Sequence, residues 1–379
     1  MTRVAVVGGG QLARMMAPAA TAMGVTLRVL VESREASAAL AAHETVVGMP
    51  GDRDAIRALL AEPRPDVITW EHEHIPPEVF ALAAEVGVAA RPGASALLFA
   101  RDKIAMRERL DALGLPMPAW RTVTTEDEVE DFLAVHGGVG VLKTSMGGYD
   151  GKGVRIVRNP TEAADWLAAA ASGGPPLLIE EKVAFDREVA IQVARRPSGA
   201  MRTWSLVESI QVDGVCAEVI APAPGLTSTL QAEAERIARL VATQLDVTGV
   251  LAVEMFDVGG RLLINELAMR PHNSGHWSIE GSVTSQFEQH LRAVLDWPLG
   301  DTDALAPVTV MANILGGSRG DLATAWPGLT DSSVKVHLYG KAVRAGRKVG
   351  HVTCMGNRVD DVRRRAAEAA DWIRDGGAA

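Results

Sequence analysis

The chain has 379 residues, 47% of them apolar, and a formal net charge of -9 at pH 7. That length holds two or three domains with ample core, and the acidic balance argues against a nucleic-acid binder, which would carry a basic excess. Two cysteines, Cys216 and Cys354, lie far apart without a Cys-x-x-Cys spacing, so neither a disulfide framework nor a zinc site is implied. With no signal-peptide apolar segment and no run of membrane-spanning length, a cytoplasmic protein that meets no membrane is expected.

Residues 3–7 read as a buried strand, followed by Gly8-Gly-Gly-Gln-Leu-Ala13 and a helix to about Met23. This is the glycine turn that seats a phosphate on a helix N-terminus, and Glu32 closes the next strand about where a ribose-binding acid would sit. By itself the turn suggests NAD or FAD, but many doubly wound domains use it for other phosphates or for close helix packing. Strands and helices alternate to about residue 93, which predicts a parallel sheet. Within it, residues 67–70 form a strand that runs into Glu71-His-Glu-His74 at the carboxyl end, where open α/β sheets bind ligands. Alternation would put Glu71 and Glu73 on one face, with Glu73 a candidate acceptor for a sugar hydroxyl. A metal on His72 and His74 and a plain solvated loop are the alternatives.

A boundary falls near Arg91-Pro-Gly-Ala94, and one helix is expected from about Ala96 to Leu113, carrying Arg101, Asp102 and Lys103. Two prolines at 116 and 118 break the chain before the stretch 139–157. There, two β-branched runs flank a loop with four glycines, Gly147, Gly148, Gly151 and Gly153. Glycine at this density lets backbone amides close on phosphate oxygens while Lys143 supplies charge. No Gly-Lys-Ser/Thr opens a helix here, so it is not a Walker loop. A ligand-free mobile hairpin is the bland alternative.

Strand patterns follow from Leu177 through Val219, then an amphipathic helix over 230–245. Residues 250–257 and 262–266 read as a hairpin carrying Glu254 and Glu266. A three-residue turn would set these carboxylates opposite one another; a two-residue turn would set Glu254 opposite Asn265. Facing carboxylates are costly without positive charge between them. Mg²⁺, held by one or two carboxylates and completed by nucleotide phosphates, would supply it; two solvated surface acids are the alternative. Arg270-Pro-His-Asn-Ser-Gly-His-Trp277 packs many polar groups into one connection, as sites do. Near the end, Lys341, Arg344, Arg347 and Lys348 crowd one hairpin of an acidic chain, which points to an anionic substrate group or to a solvated basic loop. A helix over 360–373 closes the chain.

The glycine turn, Gly-Tyr-Asp-Gly-Lys-Gly at 148–153, Glu254 with Asn265-Glu266, Arg-Pro-His-Asn-Ser-Gly-His-Trp and His-Leu-Tyr-Gly-Lys occur in this order over residues 3–352. The set resembles the N5-carboxyaminoimidazole ribonucleotide synthetase family, ATP-grasp enzymes of microbial purine synthesis. The resemblance implies an N-terminal doubly wound, Rossmann-like parallel-sheet domain (1–95), an α+β ATP-grasp domain (96–298, with subdomains 116–176 and 177–298) and a small C-terminal domain (299–379). It implies ATP and Mg²⁺ as cofactors, bicarbonate and 5-aminoimidazole ribonucleotide as substrates, and a homodimer. Lys103, Lys143 and the segment Gly148, Tyr149, Asp150, Gly151, Lys152, Gly153 and Val154 would meet the phosphates. Glu180, Glu181, Lys182 and Val183 would read adenine, Glu188 the ribose, and Gln211 would lie near the nucleotide.

By the same resemblance Glu254 and Glu266 would hold the metal, with Asn265 orienting phosphates. Arg270, His272, Tyr149, Asp150 and Lys152 would serve the chemistry, Arg270 as the carboxyphosphate clamp. Gly10, Gln11, Leu12, Glu73, Asn273, Ser274, Lys341, Arg347 and Lys348 would bind the ribonucleotide, which makes the glycine turn a mononucleotide site. The sequence departs from the family at Met269 (commonly proline), Gln211 (often histidine) and Ala13 (glycine). Another ATP-grasp ligase, such as a formate-dependent glycinamide ribonucleotide transformylase, is the nearest rival. An NAD-dependent oxidoreductase would leave the flap, the paired glutamates and the basic hairpin unused, and a non-catalytic nucleotide module would leave the charged set without a purpose.

Overall fold

The computed structural model describes residues 1–147 and 153–376. The chain opens with β1 (Arg3–Val7), α1 (Gln11–Ala22), β2 (Thr26–Val31), β3 (Glu44–Val47), α2 (Arg53–Leu59), β4 (Val67–Trp70), α3 (Pro77–Glu85) and β5 (Ala89–Ala90). The strands are parallel in the order β3-β2-β1-β4-β5, so β1 lies at the middle with its chain reversal point beside β4. All of β1, β2 and β4 is buried, as strands covered by helices on both faces must be.

Instead of one helix over 96–113 there are two, α4 (Ala94–Arg101) and α5 (Lys103–Ala112). Asp102 separates them because its carboxylate accepts the amides of Ile104 and Ala105 and so starts a new helix. The break places Lys103 in the first turn of α5, its own amide bound to the Ser145 carbonyl.

The next unit holds β6 (Trp120–Val123), α6 (Glu126–Val135), β7 (Gly140–Thr144), β8 (Val154–Val157), α7 (Ala164–Ala171) and β9 (Leu177–Glu181), with an antiparallel sheet in the order β6-β9-β7-β8. A capping box at Thr125 and Glu128 fixes the start of α6. The helix buries Val129, Phe132 and Leu133 against Leu142, Val157 and Ile179 of the sheet.

The remainder is β10 (Arg187–Arg195), β11 (Met201–Thr203), β12 (Val207–Val212), β13 (Val215–Ala221), α8 (Ser228–Gln244), β14 (Gly249–Val258), β15 (Arg261–Ala268), α9 (Ser278–Gly281), α10 (Gln286–Val294), β16 (Val308–Leu315), β17 (Lys335–Leu338), β18 (Lys348–Gly356) and α11 (Val359–Asp375). Its strands form one nine-stranded sheet, β15-β14-β10-β12-β13-β16-β18-β17, with β11 on β10. The pairing of β13 with β16 carries the sheet without a break from the central segment into the C-terminal one.

α8 buries Leu230, Ala234, Ile237, Ala238 and Val241, the stripe of one helix face, over Val189, Ile191, Leu251 and Val253. Each large aliphatic side chain sealed here contributes about 1.5–3 kcal/mol relative to exposure. The same core continues into the N-terminal domain through Leu82 and Leu97, while Phe287 and Leu291 of α10 pack with Met16 of α1. No helix among the described residues is long and apolar enough to cross a membrane.

Candidate active site

The hairpin β14–β15 resolves the register question in a way neither sequence alternative contains. The turn has two residues, Gly259 and Gly260, since Val258 pairs with Arg261, yet Glu254 pairs with Glu266. A bulge between Glu254 and Met255 absorbs Asn265 as the extra residue and restores the two carboxylates to opposite positions. Asn265 is thereby turned toward the neighbouring subdomain, its Oδ1 3.4 Å from Lys143 Nζ.

Lys143, on β7, comes within 2.7 Å of Glu180 Oε2 at the end of β9. Arg107 completes this buried group: its Nε donates to Glu180 Oε1 at 2.8 Å, Nη1 to the Ile264 carbonyl at 2.7 Å and Nη2 to the Asn265 carbonyl at 3.0 Å. Burial pushes the Glu180 carboxyl up, but Lys143 and Arg107 more than offset this and hold it below its ordinary range. Burial likewise lowers Lys143, a shift that Glu180 only partly opposes. The Glu180 side chain is therefore spent on joining two subdomains, through Arg107 to the Ile264 and Asn265 carbonyls. Glu181 accepts the Ala119 amide at 3.0 Å, and Lys182 is exposed on the segment after β9.

The two paired carboxylates each meet a nitrogen partner. Glu266 Oε1 lies 2.9 Å from Lys103 Nζ, and Glu254 Oε1 lies 2.9 Å from His272 Nε2. Burial raises the Glu254 carboxyl, and His272, Lys348 and Arg270 together bring it below its ordinary range. Glu188, on β10, has less help: burial first and the nearby Glu254 second push it up to about 7, with Lys143 opposing only in part. Two hard carboxylates beside an amide oxygen fit Mg²⁺ completed by phosphate and water rather than a softer metal. Among the described residues no cluster of three or more His, Cys, Asp or Glu could hold a metal unaided.

The segment after β15 is held from several directions. His272 Nδ1 faces Ser274 Oγ at 2.8 Å, and the His272 amide and carbonyl both bind the Gln286 side chain at 2.8 Å. Sequence reasoning missed Gln286; the only cue is Gly275, where an added Cβ would collide with Gln286 Oε1. Behind it His276, His351 and His337 stack, with ring centroids 5.1 and 4.5 Å apart. Burial keeps His276 and His351 well below their ordinary range, hence neutral.

Asn273 and Ser274 are fixed by internal hydrogen bonds. They are 8% and 1% exposed, and their side chains are used by Asn313 and by Gln192 and His272. Gln211 on β12 donates to Ser209 Oγ at 3.0 Å.

At the other end of the site Arg270 Nε lies 3.0 Å from Glu73 Oε1. β4 stops at Trp70, so Glu71 and Glu73 do not share a face: Glu73 reaches Arg270, while Glu71 turns back to the glycine turn. The amides of Gly10 and Leu12, expected to be open to a phosphate, donate to the Glu71 carboxylate instead. Lys341 Nζ donates to Gln11 Oε1. Arg347 is exposed with Nη1 on the Ala342 carbonyl, and Lys348 opens β18.

β18, which begins at Lys348, and β14, which carries Glu254, are five strands apart along the sheet. The segment after β15 nevertheless reaches the far strands directly, Asn273 bonding Asn313 of β16 and the His276 ring lying 5.1 Å from that of His351 on β18, so the sheet curls around this segment and one face gathers both ends of the site. Gly153 and Val154 begin the return strand β8, with the Thr144 amide on the Gly153 carbonyl. Gly148, Tyr149, Asp150, Gly151 and Lys152 lie outside the described residues.

Comparison with known proteins agrees with this geometry. The ATP-grasp domain pattern matches residues 108–287, the ribonucleotide synthetase preATP-grasp domain residues 1–101, and the phosphoribosylaminoimidazole carboxylase C-terminal domain residues 309–365. The chain is 46% identical over 383 residues to N5-carboxyaminoimidazole ribonucleotide synthase of Corynebacterium ammoniagenes, covering 98% of this chain and 92% of that protein. It is 47% identical to the Mycobacterium tuberculosis enzyme of that name, covering 98% and 88%.

Among solved structures, the Thermus thermophilus synthetase superposes with a TM-score of 0.86 at 37% identity, covering 98% of both chains. The Aspergillus clavatus synthase in complex with ADP and 5-aminoimidazole ribonucleotide gives 0.86 at 30%, again covering 98% of both. Likeness over nearly the whole length, together with the curled sheet, the paired glutamates and the basic hairpin, shows that the chain belongs to the N5-carboxyaminoimidazole ribonucleotide synthase family.

Proposed function

We propose that the chain carboxylates 5-aminoimidazole ribonucleotide at the expense of ATP, with bicarbonate as the carbon source, giving N5-carboxyaminoimidazole ribonucleotide, ADP and phosphate in purine synthesis. The observation that carries this reading is the gathering, on one sheet, of the Glu254–Glu266 pair, Arg270 and the Lys341–Lys348 hairpin, with its two ends meeting through Asn273 on Asn313 and His276 on His351. It gives one nucleotide-triphosphate corner and one phosphomonoester corner with a guanidinium between them.

In this reading a bicarbonate oxygen attacks the γ-phosphorus in line, the bond to the β-γ bridging oxygen breaks, and ADP leaves with that electron pair. Lys143 and Lys103 offset the charge that spreads onto the phosphoryl oxygens. Glu254 and Glu266 would hold Mg²⁺, whose chemistry when bound is to neutralise phosphate charge. Arg270 clamps the carboxyphosphate through its planar donors. The exocyclic amine then forms the nitrogen–carbon bond as the carbon–oxygen bond to phosphate breaks, and the amine proton passes to a base. His272, held on one side by Ser274 and on the other by Glu254, is a candidate for that base.

Backbone groups of 181–183 and the Glu188 carboxylate would bind the nucleoside of ATP. Glu73, Gln11, Lys341, Arg347 and Lys348 would bind the ribonucleotide. Following the family resemblance, the working form is a cytoplasmic homodimer, which light scattering on the purified chain tests.

The decisive experiment measures ADP release from MgATP and bicarbonate with and without 5-aminoimidazole ribonucleotide, following loss of the free amine in parallel. Ribonucleotide-dependent ADP release with matching amine loss is expected. ADP release that instead depends on formate and glycinamide ribonucleotide would replace this reading with the transformylase one.

A further inference from the structure

Glu71 has no part in the reaction just described, yet it is built into the wall beside the phosphomonoester corner. Its carboxylate accepts the Gly10 amide on Oε2 and the Leu12 amide on Oε1, the latter at 3.0 Å. Gly10 caps α1 without a side-chain acceptor of its own, so the cap comes from about sixty residues away.

The glycines of the turn fit this carboxylate. An added Cβ on Gly10 would collide with Glu71 Oε1, and one on Gly8, whose φ is +115°, would lie 2.8 Å from Glu71 Cβ. A turn that looks like a seat for a ligand phosphate is thus already filled by an internal anion. Between the two amides that Glu71 holds lies Gln11, and its side-chain oxygen accepts from Lys341 Nζ, 330 residues further along. Burial raises the Glu71 carboxyl; the two amides and the charge of Lys341 oppose that rise.

We infer that Glu71 is a positioning residue: by strapping the amides on either side of Gln11 it aims the Gln11 side chain, and through it Lys341, at the ribonucleotide phosphate. The same strap closes the turn to a second phosphate, which separates a mononucleotide from a dinucleotide. The inference rests on the reading given under Proposed function.

The test is steady-state kinetics with each substrate varied in turn. Wild-type enzyme must first show ribonucleotide-dependent ADP release; its absence removes the proposed reaction and this inference with it. With that response present, Glu71→Gln, whose amide nitrogen cannot accept from a backbone N–H, should raise the ribonucleotide KM about tenfold. The ATP KM and kcat should stay within twofold, and Glu71→Asp should recover part of the loss. In a Lys341→Ala background Glu71→Gln should add less than twofold, because both act on one contact.

Equal effects on both KM values, an unchanged ribonucleotide KM, or full multiplication of the two effects would each overturn the inference while leaving the reaction standing. Gln11→Ala, which leaves Glu71 and the core intact, covers the case in which Glu71→Gln does not fold. It should reproduce the ribonucleotide-specific rise, and no rise overturns the inference equally.

Discussion

Arg270 and Glu73 hold each other at 3.0 Å across the seam between the N-terminal domain and the ATP-grasp segment, with side-chain exposures of 23% and 12%. The group proposed to clamp carboxyphosphate is thus engaged by the group proposed to accept a ribose hydroxyl. In the proposed reaction, a sugar hydroxyl donating to Glu73 would weaken its hold and release Arg270 toward the phosphoryl group. Glu73→Gln should therefore raise bicarbonate-dependent ADP release without ribonucleotide by roughly threefold to tenfold, about 1 kcal/mol of relieved restraint. Unchanged release, with only a weaker ribonucleotide KM, would reduce Glu73 to a binding group.

Lys341 carries the second expectation. Its ammonium sits on Gln11, in the hairpin that also holds Arg347 and Lys348. Removing one charge-assisted contact to a phosphate costs about 1.5–3 kcal/mol, so Lys341→Ala should raise the ribonucleotide KM on the order of tenfold to a hundredfold. The ATP KM should change little. Equal rises in both would move Lys341 out of the phosphomonoester corner.

Arg107 is 0% exposed and spans Glu180, Ile264 and Asn265. Arg107→Met leaves the buried Glu180 with Lys143 as its remaining partner and strips two carbonyls of their donor. Breaking a buried ion pair in this way costs about 3–5 kcal/mol, to be read from urea unfolding. A loss below about 1 kcal/mol would mean that the subdomains are not joined through this group.

Glu188 makes the ligand-free protein sensitive to pH. Its carboxyl rises from an ordinary 4.5 to about 7 in the folded chain, so the fold binds this proton more tightly than the unfolded chain does. The associated stability is complete below about pH 4.5 and is lost as pH rises through 7. Glu188→Gln should match wild type at pH 4.5 and exceed it at pH 8 by about 1–3 kcal/mol. A difference independent of pH between 5 and 8 would show that Glu188 is not the titrating group.

The sequence carried the architecture well, because buried parallel strands, capped helices and glycine turns are local signals. The N-terminal sheet, the flap strands, α8, α11 and the Glu254 to Glu266 hairpin all sit where periodicity puts them. What escaped was non-local. The bulge that returns Glu254 to Glu266 has no signature in Val-Glu-Met or Ile-Asn-Glu, and it combined a two-residue turn with facing carboxylates. Asp102 is a different kind of miss: an Asp is a preferred N-cap and its partners Ile104 and Ala105 are local, but the apolar pattern runs through it and reads as one helix.

Asn273 and Ser274 entered through the family resemblance, and only the fold shows that Asn313 and Gln192 are their partners within the chain. Arg107 did carry a cue, four residues after Lys103 and so on the same helix face. Its partner Glu180 lies 73 residues away, a distance no pattern bridges.

The curled nine-stranded sheet bears on how far apart the two substrates react. Since the glutamate pair and the basic hairpin belong to one hydrogen-bonded sheet, their separation is a matter of bend along a single lamina rather than of two bodies docking. Register shifts at Ile210/Gln211, Glu254/Met255 and Ile314/Leu315 are the creases in that lamina. A bulge bends the strand that carries it, so the distance between the two ends of this sheet is set by backbone register as much as by the side chains displayed there.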